Sequence, residues 1–323
     1  MAGIMAKMNA LEGRLVVLIG GSGFFGSRIA QELLSQGARL RIAGRHAEHA
    51  FRLKPLGNLG QIQFAPCDVT KPASLTAAMQ GADAAVYLVG AFSGAVEALQ
   101  RDGAGVAASA AKAAGAQAFA YISAIGANAE SDVRYARTKA EGEQAVLAAF
   151  PGATILRPSV LFGEDDNFIN MFARLIAAFP VLPVFGPEAK LQPLFVDDAA
   201  RAVAVALADP GSHGGRTYEI AGPQVLTMAA INRKIAAAQG RRRAFADLPD
   251  WISKSFAALT GWLPGAPLSL DQWALLEAGN TASGAFPGLK ALGITPRPLD
   301  LFLDRWMVRY RPHGRFGSDP RAV

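Results

Sequence analysis

The stretch Leu15-Val16-Val17-Leu18-Ile19-Gly20-Gly21-Ser22-Gly23-Phe24-Phe25-Gly26 decides the fold of this chain. Five apolar residues read as a buried strand, and the glycines after them read as a tight turn opening a helix. Such a turn presents backbone N–H groups at a helix start, where a phosphate is favoured. Two spacings fit: Gly20, Gly23 and Gly26 give GxxGxxG, whereas Gly21, Gly23 and Gly26 give GxGxxG. In either, the first glycine permits the tight turn, Gly23 lets the backbone approach a pyrophosphate, and Gly26 lets the helix pack close to the sheet. A glycine-rich loop without a ligand is the alternative, and the strand before and helix after it argue against that.

Outward from this turn, short apolar runs alternate with helical patterns. The runs are Leu15–Ile19, Leu40–Ala43, Ile62–Ala65, Ala84–Val89, Ala118–Ile122 and Thr154–Leu156. Phe25, Ile29 and Leu33 share a helix face that Gly37 ends, and Asp102–Ala116 and Tyr135–Phe150 are further helices. This alternation predicts an α/β fold, a doubly wound parallel sheet of Rossmann type with ligands at the carboxyl ends of the strands. After Pro158 the pattern changes. Helices are expected at Asn167–Phe179, Asp197–Ala208 and Thr227–Gln239, the last capped by its threonine, with short strands at Leu194–Val196 and Thr217–Ala221. The predicted organisation is an extension at 1–14, a dinucleotide-binding core at 15–160 completed by parts of 190–221, a smaller α/β lobe at 161–310 and a disordered tail at 311–323.

Composition narrows the classes. The 323 residues are 51% hydrophobic and 18% charged, enough for a sizeable core. The single cysteine, Cys67, excludes a disulfide framework and points to a reducing compartment. The four histidines, His46, His49, His213 and His313, lack metal-ligand spacing, so no metal site is expected. Neither a signal peptide nor a membrane span is read, and a cytoplasmic or peripheral protein is expected. The net charge of +6 fits an anionic membrane, an acidic partner or a phosphate-rich ligand, or simply solvated surface. No nucleic-acid motif accompanies it, so nucleic acid is not an expected partner.

The second strand ends Ala43-Gly44-Arg45 with no acidic residue to bond both ribose hydroxyls. Arg45 can pair with a 2′-phosphate, assisted by Arg41 or His46, which favours NADP(H) over NAD(H); an exposed strand-end arginine is the alternative. Asp68-Val69 after the third strand suits an adenine edge, or Asp68 caps a helix starting near Pro72. Tyr135 and Lys139 lie one helical turn apart on one face. A lysine beside a phenol lowers its pKa and can hold a ribose, which suits Tyr135 to proton transfer. The alternative is an exposed tyrosine, with Lys139 paired to Glu143.

Taken together, Gly20, Gly23 and Gly26, Asp68-Val69, Tyr135 with Lys139, Leu156-Arg157-Pro158-Ser159 and Gln192-Pro193-Leu194-Phe195-Val196-Asp197-Asp198-Ala199 resemble the extended or atypical short-chain dehydrogenase/reductase superfamily, and with these later motifs the turn reads as GxxGxxG, with Gly20 rather than Gly21 as its first member. Gly23-Phe24-Phe25-Gly26, Leu88-Val89-Gly90, Ser123-Ala124-Ile125-Gly126-Ala127 and Lys139-Ala140-Glu141-Gly142-Glu143 are similar to its branch of respiratory complex I accessory subunits. The resemblance implies a cofactor held by Gly20, Ser22, Gly23, Phe24, Phe25, Gly26, Arg45, Asp68, Val69, Val89, Gly90 and Pro158, with Tyr135 and Lys139 on the nicotinamide ribose. It also implies docking on complex I or another membrane-associated complex, at the inner face of an energy-transducing membrane, with a cofactor that is structural or regulatory. One departure stands out: Ser123 fills the first hydroxyl position after the fifth strand, but Ala124 occupies the usual catalytic one. An active reductase, epimerase or dehydratase would use Tyr135 as acid/base, Lys139 as its partner and Ser123 as a substitute donor. A scaffold without nucleotide is a third class. In the C-terminal lobe, Ile252, Phe256, Leu259 and Leu263 share a face flanked by Trp251 and Trp262, downstream of Arg241–Arg243. Residues 250–275 therefore suit a membrane interface or a partner, or they close the lobe.

Overall fold

The computed structural model describes residues 10–260, 270–312 and 314. Two compact units emerge, each built from separated parts of the chain. The first comprises the chain up to Pro158, Val196–Ile220 and Ser283–Thr295.

A seven-stranded parallel sheet forms the first unit. In chain order its strands are β1 (Leu15–Ile19), β2 (Arg39–Gly44), β3 (Ile62–Pro66), β4 (Ala84–Tyr87), β5 (Ala118–Ile122), β6 (Thr154–Pro158) and β7 (Thr217–Ile220). Their order across the sheet is β7-β6-β5-β4-β1-β2-β3, so the winding reverses between β1 and β4. Every pairing is parallel, with Val16 opposite Leu40 on one side and Ala84 on the other. The central strands β1, β4 and β5 are buried at every position, which explains runs such as Leu-Val-Val-Leu-Ile without alternation.

Helices α1 (Phe24–Ser35), α2 (Pro72–Met79), α3 (Gly103–Ala113), α4 (Arg134–Ala149) and α5 (Val196–Ala208) accompany these strands. The buried face of α1 is Gly26, Ile29, Ala30, Leu33 and Leu34, and Phe25 is only half-buried, so the face is rotated one residue from the expected one. Gly37, at φ +79°, ends this helix with its N–H donating to the Leu34 carbonyl. Three boundaries depart from the expected ones. The fourth strand stops at Tyr87 rather than Val89, a π turn at Ala98–Asp102 precedes α3, and α5 begins at Val196 with no gap after a two-residue strand. Leu11, ahead of β1, is fully buried, and the Gly13 N–H donates to the Gly37 carbonyl.

The second unit comprises Ser159–Phe195, Ala221–Ala282 and the chain from Pro296. Its helix Met228–Ala238 is capped as expected, the Thr227 hydroxyl accepting from the Ala230 N–H at 3.1 Å. Phe162, Phe195, Phe302 and Trp306 stack in its core, with Phe195 and Phe302 centroids 4.1 Å apart. Arg241 donates to the Tyr310 carbonyl and Arg243 to that of Ile176, leaving Arg242 as the exposed member of that run. Within Asp250–Thr260, Trp251 is 70% exposed and Ile252 half-buried. The side chains of Phe256 and Leu259, with Trp262 and Leu263, fall outside the described residues, as does most of 311–323. Among the described residues no helix is long and apolar enough to cross a membrane.

Candidate functional site

The glycine turn sits where β1 ends, at the reversal of the sheet. Gly20 adopts φ +80°, and a Cβ there would lie 3.1 Å from Val89 Cγ2. Gly21 is held by space rather than torsion: its Cβ would meet Leu18 Cβ at 2.7 Å and Ile42 Cγ2 at 3.3 Å. Gly26 in turn would drive its Cβ to 2.6 Å from the Gly21 backbone, so the helix closes on the turn itself. Gly23 caps α1 without a side chain, and nothing lies within 4 Å of where its Cβ would stand. Gly20, taken as the first member of the motif, is thus required by its torsion, and Gly21 beside it by space. The open approach at Gly23, over a helix start whose first N–H groups have no intrahelical partner, fits a pyrophosphate. Ser22, Phe24 and Phe25 are half-buried around it.

Arg52 is a neighbour that sequence reasoning missed. Its Nη2 donates to the Ser22 carbonyl at 2.9 Å and to Ser27 Oγ at 3.1 Å, tying the turn to the segment after β2. No local pattern announces this contact, because 30 residues separate Arg52 from Ser22. Arg45 is exposed at the end of β2. Of its two supposed assistants, Arg41 is committed elsewhere: its Nη1 donates to the Ala78 and Gln80 carbonyls at 2.8 and 2.7 Å. Exposed His46 stacks on His49, its ring nitrogen 3.2 Å from Glu48.

Asp68 accepts from Thr70 Oγ1 at 2.8 Å and from the Thr70 N–H at 3.1 Å, bonds that hold its carboxyl below the usual range. It does not cap α2. Lys71 takes that position, and Pro72 supplies a first residue that needs no partner for a missing N–H. Val69 is buried beside Asp68.

Across the reversal, Val89 and Gly90 follow β4 on the way to α3. A Cβ on Gly90 would lie 3.5 Å from Lys139 Nζ, in ordinary contact with it. Lys139 is 3% exposed and donates to the Ile122 carbonyl at 2.8 Å. Its Nζ lies 5.3 Å from the Tyr121 ring centroid and 6.0 Å from that of Tyr135. Glu143 is not its direct partner, being bonded by both Nε and Nη2 of Arg157. Burial pulls Lys139 down to about 8, against the pull of Glu143.

Tyr135, one turn before Lys139 on α4, is half-buried. Burial pushes its phenol up to about 12, so desolvation outweighs any help from a lysine whose own charge is disfavoured there. Phe92, itself 53% exposed, lies on the Tyr135 ring with centroids 4.4 Å apart and planes 17° from parallel. Ser123 N–H donates to the Leu156 carbonyl and Ile125 N–H to that of buried Pro158, which carries the β5–β6 pairing beyond the strands. The Ser123 hydroxyl is buried without a hydrogen-bond partner, an atom that a bound molecule would satisfy. Residues after β1, β4 and β5 thus form one surface of the first unit with the chemistry for a dinucleotide: an open phosphate turn, a cation at the β2 end and a buried lysine. Among the described residues no His, Cys, Asp and Glu group could hold a metal ion.

Comparison with known proteins agrees. Residues 20–171 match a family described as NAD(P)H-binding, and 130–255 match the RmlD substrate binding domain. NADH dehydrogenase [ubiquinone] 1 alpha subcomplex subunit 9 of Arabidopsis thaliana is 30% identical over 96% of this chain and 81% of its own length. A ceramide reductase of Caulobacter vibrioides is 32% identical over 58% of each chain. The NADPH-dependent quinone oxidoreductase of Escherichia coli, solved with NADPH, superposes with a TM-score of 0.70 at 21% identity, over 89% of this chain and 98% of that one. By fold, motif and sequence, the chain belongs to the extended, NAD(P)-binding branch of the short-chain dehydrogenase/reductase superfamily, in the family of the NADH dehydrogenase [ubiquinone] alpha subcomplex subunit 9.

Proposed function

We propose that this protein holds NADP(H) as a standing component, structural or regulatory, and docks on respiratory complex I or a comparable membrane-associated complex. The observation that carries this reading is the likeness, over 96% of the chain, to the NADH dehydrogenase [ubiquinone] 1 alpha subcomplex subunit 9 of Arabidopsis thaliana. Burial under the Phe92 ring, which raises the Tyr135 phenol rather than lowering it, is in keeping with this reading. Ala124, where active relatives place a hydroxyl, removes a donor to a substrate oxygen.

In this reading Gly20, Ser22, Gly23, Phe24, Phe25 and Gly26 hold the pyrophosphate, Arg45 the 2′-phosphate, and Asp68 and Val69 the adenine. Val89, Gly90 and Pro158 frame the nicotinamide end, and Tyr135 and Lys139 hold its ribose. Arg45 and the absence of an acidic residue at the β2 end favour NADP(H) over NAD(H). The bound nicotinamide would supply hydride chemistry. The second unit serves as the partner lobe, with the exposed Trp251 in the 250–275 segment as its membrane or protein contact.

A working reductase is the second reading, favoured by the orphaned Ser123 hydroxyl. There Ser123 would donate to a carbonyl oxygen and Tyr135 would move the proton, with Lys139 beside it. The test is purification from native membranes with release and identification of any nucleotide. Co-purifying NADPH, and Tyr135→Phe that keeps both nucleotide and partner, supports the standing-component reading. A reducible substrate whose turnover Tyr135→Phe abolishes supports the reductase, and a chain that takes up neither NADP(H) nor NAD(H) overturns both.

A further inference from the structure

Beneath α4 lies a buried set of charges that the cofactor contacts do not use. Arg157 on β6 meets Glu143 on α4 through two bonds, Nε to Oε1 at 2.8 Å and Nη2 to Oε2 at 2.6 Å. Its Nη1 lies 4.0 Å from Glu219 on β7. Glu219 is 4% exposed, and its Oε2 accepts from Ser283 twice, from the N–H at 2.6 Å and from the hydroxyl at 2.8 Å. The Arg157 guanidinium also lies 4.7 Å from the Phe286 ring centroid, and the Glu219 N–H donates to the Pro287 carbonyl.

Two buried carboxylates thus flank one guanidinium, which can neutralise one of them fully. The asymmetry of distance shows which: Glu143 has the paired bonds, and Glu219 is held instead by Ser283. Ser283 belongs to Ser283–Thr295, a part of the first unit continuous at both ends with chain of the second. Glu143 stands one helical turn beyond Lys139.

We propose that Ser283, Glu219, Arg157 and Glu143 form a positioning relay for Lys139, so that the grip on the cofactor ribose depends on the returning segment Ser283–Thr295. The proposal rests on the reading that Lys139 holds a cofactor. The relay has a sign. Loss of the Ser283 hydroxyl leaves Glu219 Oε2 with the Ser283 N–H alone and draws Arg157 toward it. Glu143 is then less neutralised, and its negative charge favours the Lys139 ammonium more strongly. Replacement of Glu143 by a neutral amide does the opposite. The other groups facing Lys139 are Tyr121 and the Ile122 carbonyl from β5, Tyr135 on its own helix, and the Gly90 backbone after β4. None of them is altered by these changes.

The test measures the dissociation constant of NADPH by nicotinamide fluorescence on the full chain between pH 6.5 and 9.5, for wild type, Ser283→Ala, Ser283→Thr and Glu143→Gln. As the pH rises, affinity falls where Lys139 loses its proton. The expected result is a midpoint displaced upward by about half a pH unit in Ser283→Ala, back to the wild-type position in Ser283→Thr, and displaced downward in Glu143→Gln. A lower melting temperature with an unmoved midpoint, or displacement of both variants in one direction, overturns the relay. If Ser283→Ala does not fold, Glu219→Gln takes its place: it frees Arg157 for Glu143, so a downward displacement is expected and an unmoved midpoint overturns the relay. A wild type that binds neither NADPH nor NADH removes the cofactor reading and the relay with it, whereas a binding wild type with unmoved variants removes only the relay.

Discussion

At the glycine turn, the tightest exclusions fall between residues a few positions apart. The absent Cβ of Gly26 would strike Gly21, and that of Gly21 would strike Leu18. At Lys139 and Tyr135 the deciding neighbours come from far along the chain: the Ile122 carbonyl, the Tyr121 ring, Phe92, and Arg157 acting through Glu143. The first region is governed by hard-sphere exclusion between sequence neighbours, the second by burial that only the assembled sheet creates. A reader of sequence therefore gets the shape of the turn right and misses the burial that bears on the protons of α4.

Substitutions should separate the two regions. The largest effect is expected from Gly26→Ala, which forces a methyl against the Gly21 backbone. Overpacking of this kind costs about 1–3 kcal/mol of stability, and distortion of the turn should weaken NADPH binding by about a hundredfold. Urea melts and fluorescence titration check both, and a variant that binds normally would show the turn to be softer than its contacts imply.

Lys139→Met probes the other region. A lysine held at about 8 when folded and near 10.4 when unfolded binds fewer protons in the native state, so its contribution to stability rises as pH climbs from 8 to 10.4. At pH 7 the buried ammonium is a net cost. The methionine variant should therefore be more stable than wild type there, by about 2 kcal/mol after the lost bond to Ile122 is allowed for. The advantage should fade toward pH 10. Parallel stability curves for the two proteins would refute this. Tyr135 acts in the reverse sense: with a folded value near 12, its contribution is full below pH 10 and is lost from 10 to 12, so the comparison belongs below pH 10.

A smaller effect attaches to Arg45→Ala, which should weaken NADPH by about tenfold while leaving NADH nearly unchanged. Equal losses for both nucleotides would assign Arg45 to the pyrophosphate or to neither. Arg52→Ala should be mildest, a two- to threefold loss, because an exposed guanidinium bonded to a carbonyl contributes about 1 kcal/mol or less.

The fold was legible because its strands are short, apolar and bounded by glycine, and because Thr227 and Gly37 mark helix ends by local chemistry. Of the site, the glycines could be read in place, as could the spacing of Tyr135 and Lys139. Arg52, the Phe92 stack and the Ser283–Glu219 bonds could not, since each joins segments about 30–65 residues apart with no periodicity to betray them. Arg41 shows the converse error. A cation in the right stretch of sequence was credited with a ligand, although the tertiary structure had already given it the carbonyls at the end of α2.

The order in which the sheet is completed bears on how the protein is made. The outer edge of β6, Thr154–Pro158, pairs only with β7, and β7 is Thr217–Ile220. At about 5–20 residues per second, a ribosome takes roughly 3–12 s to cover that interval. During this time the nascent sheet presents an unpaired edge of buried type, and Glu219 and Ser283 are still to come. Edges of this kind recruit other strands. The emerging chain thus carries an aggregation hazard at β6 that lasts until β7 is made.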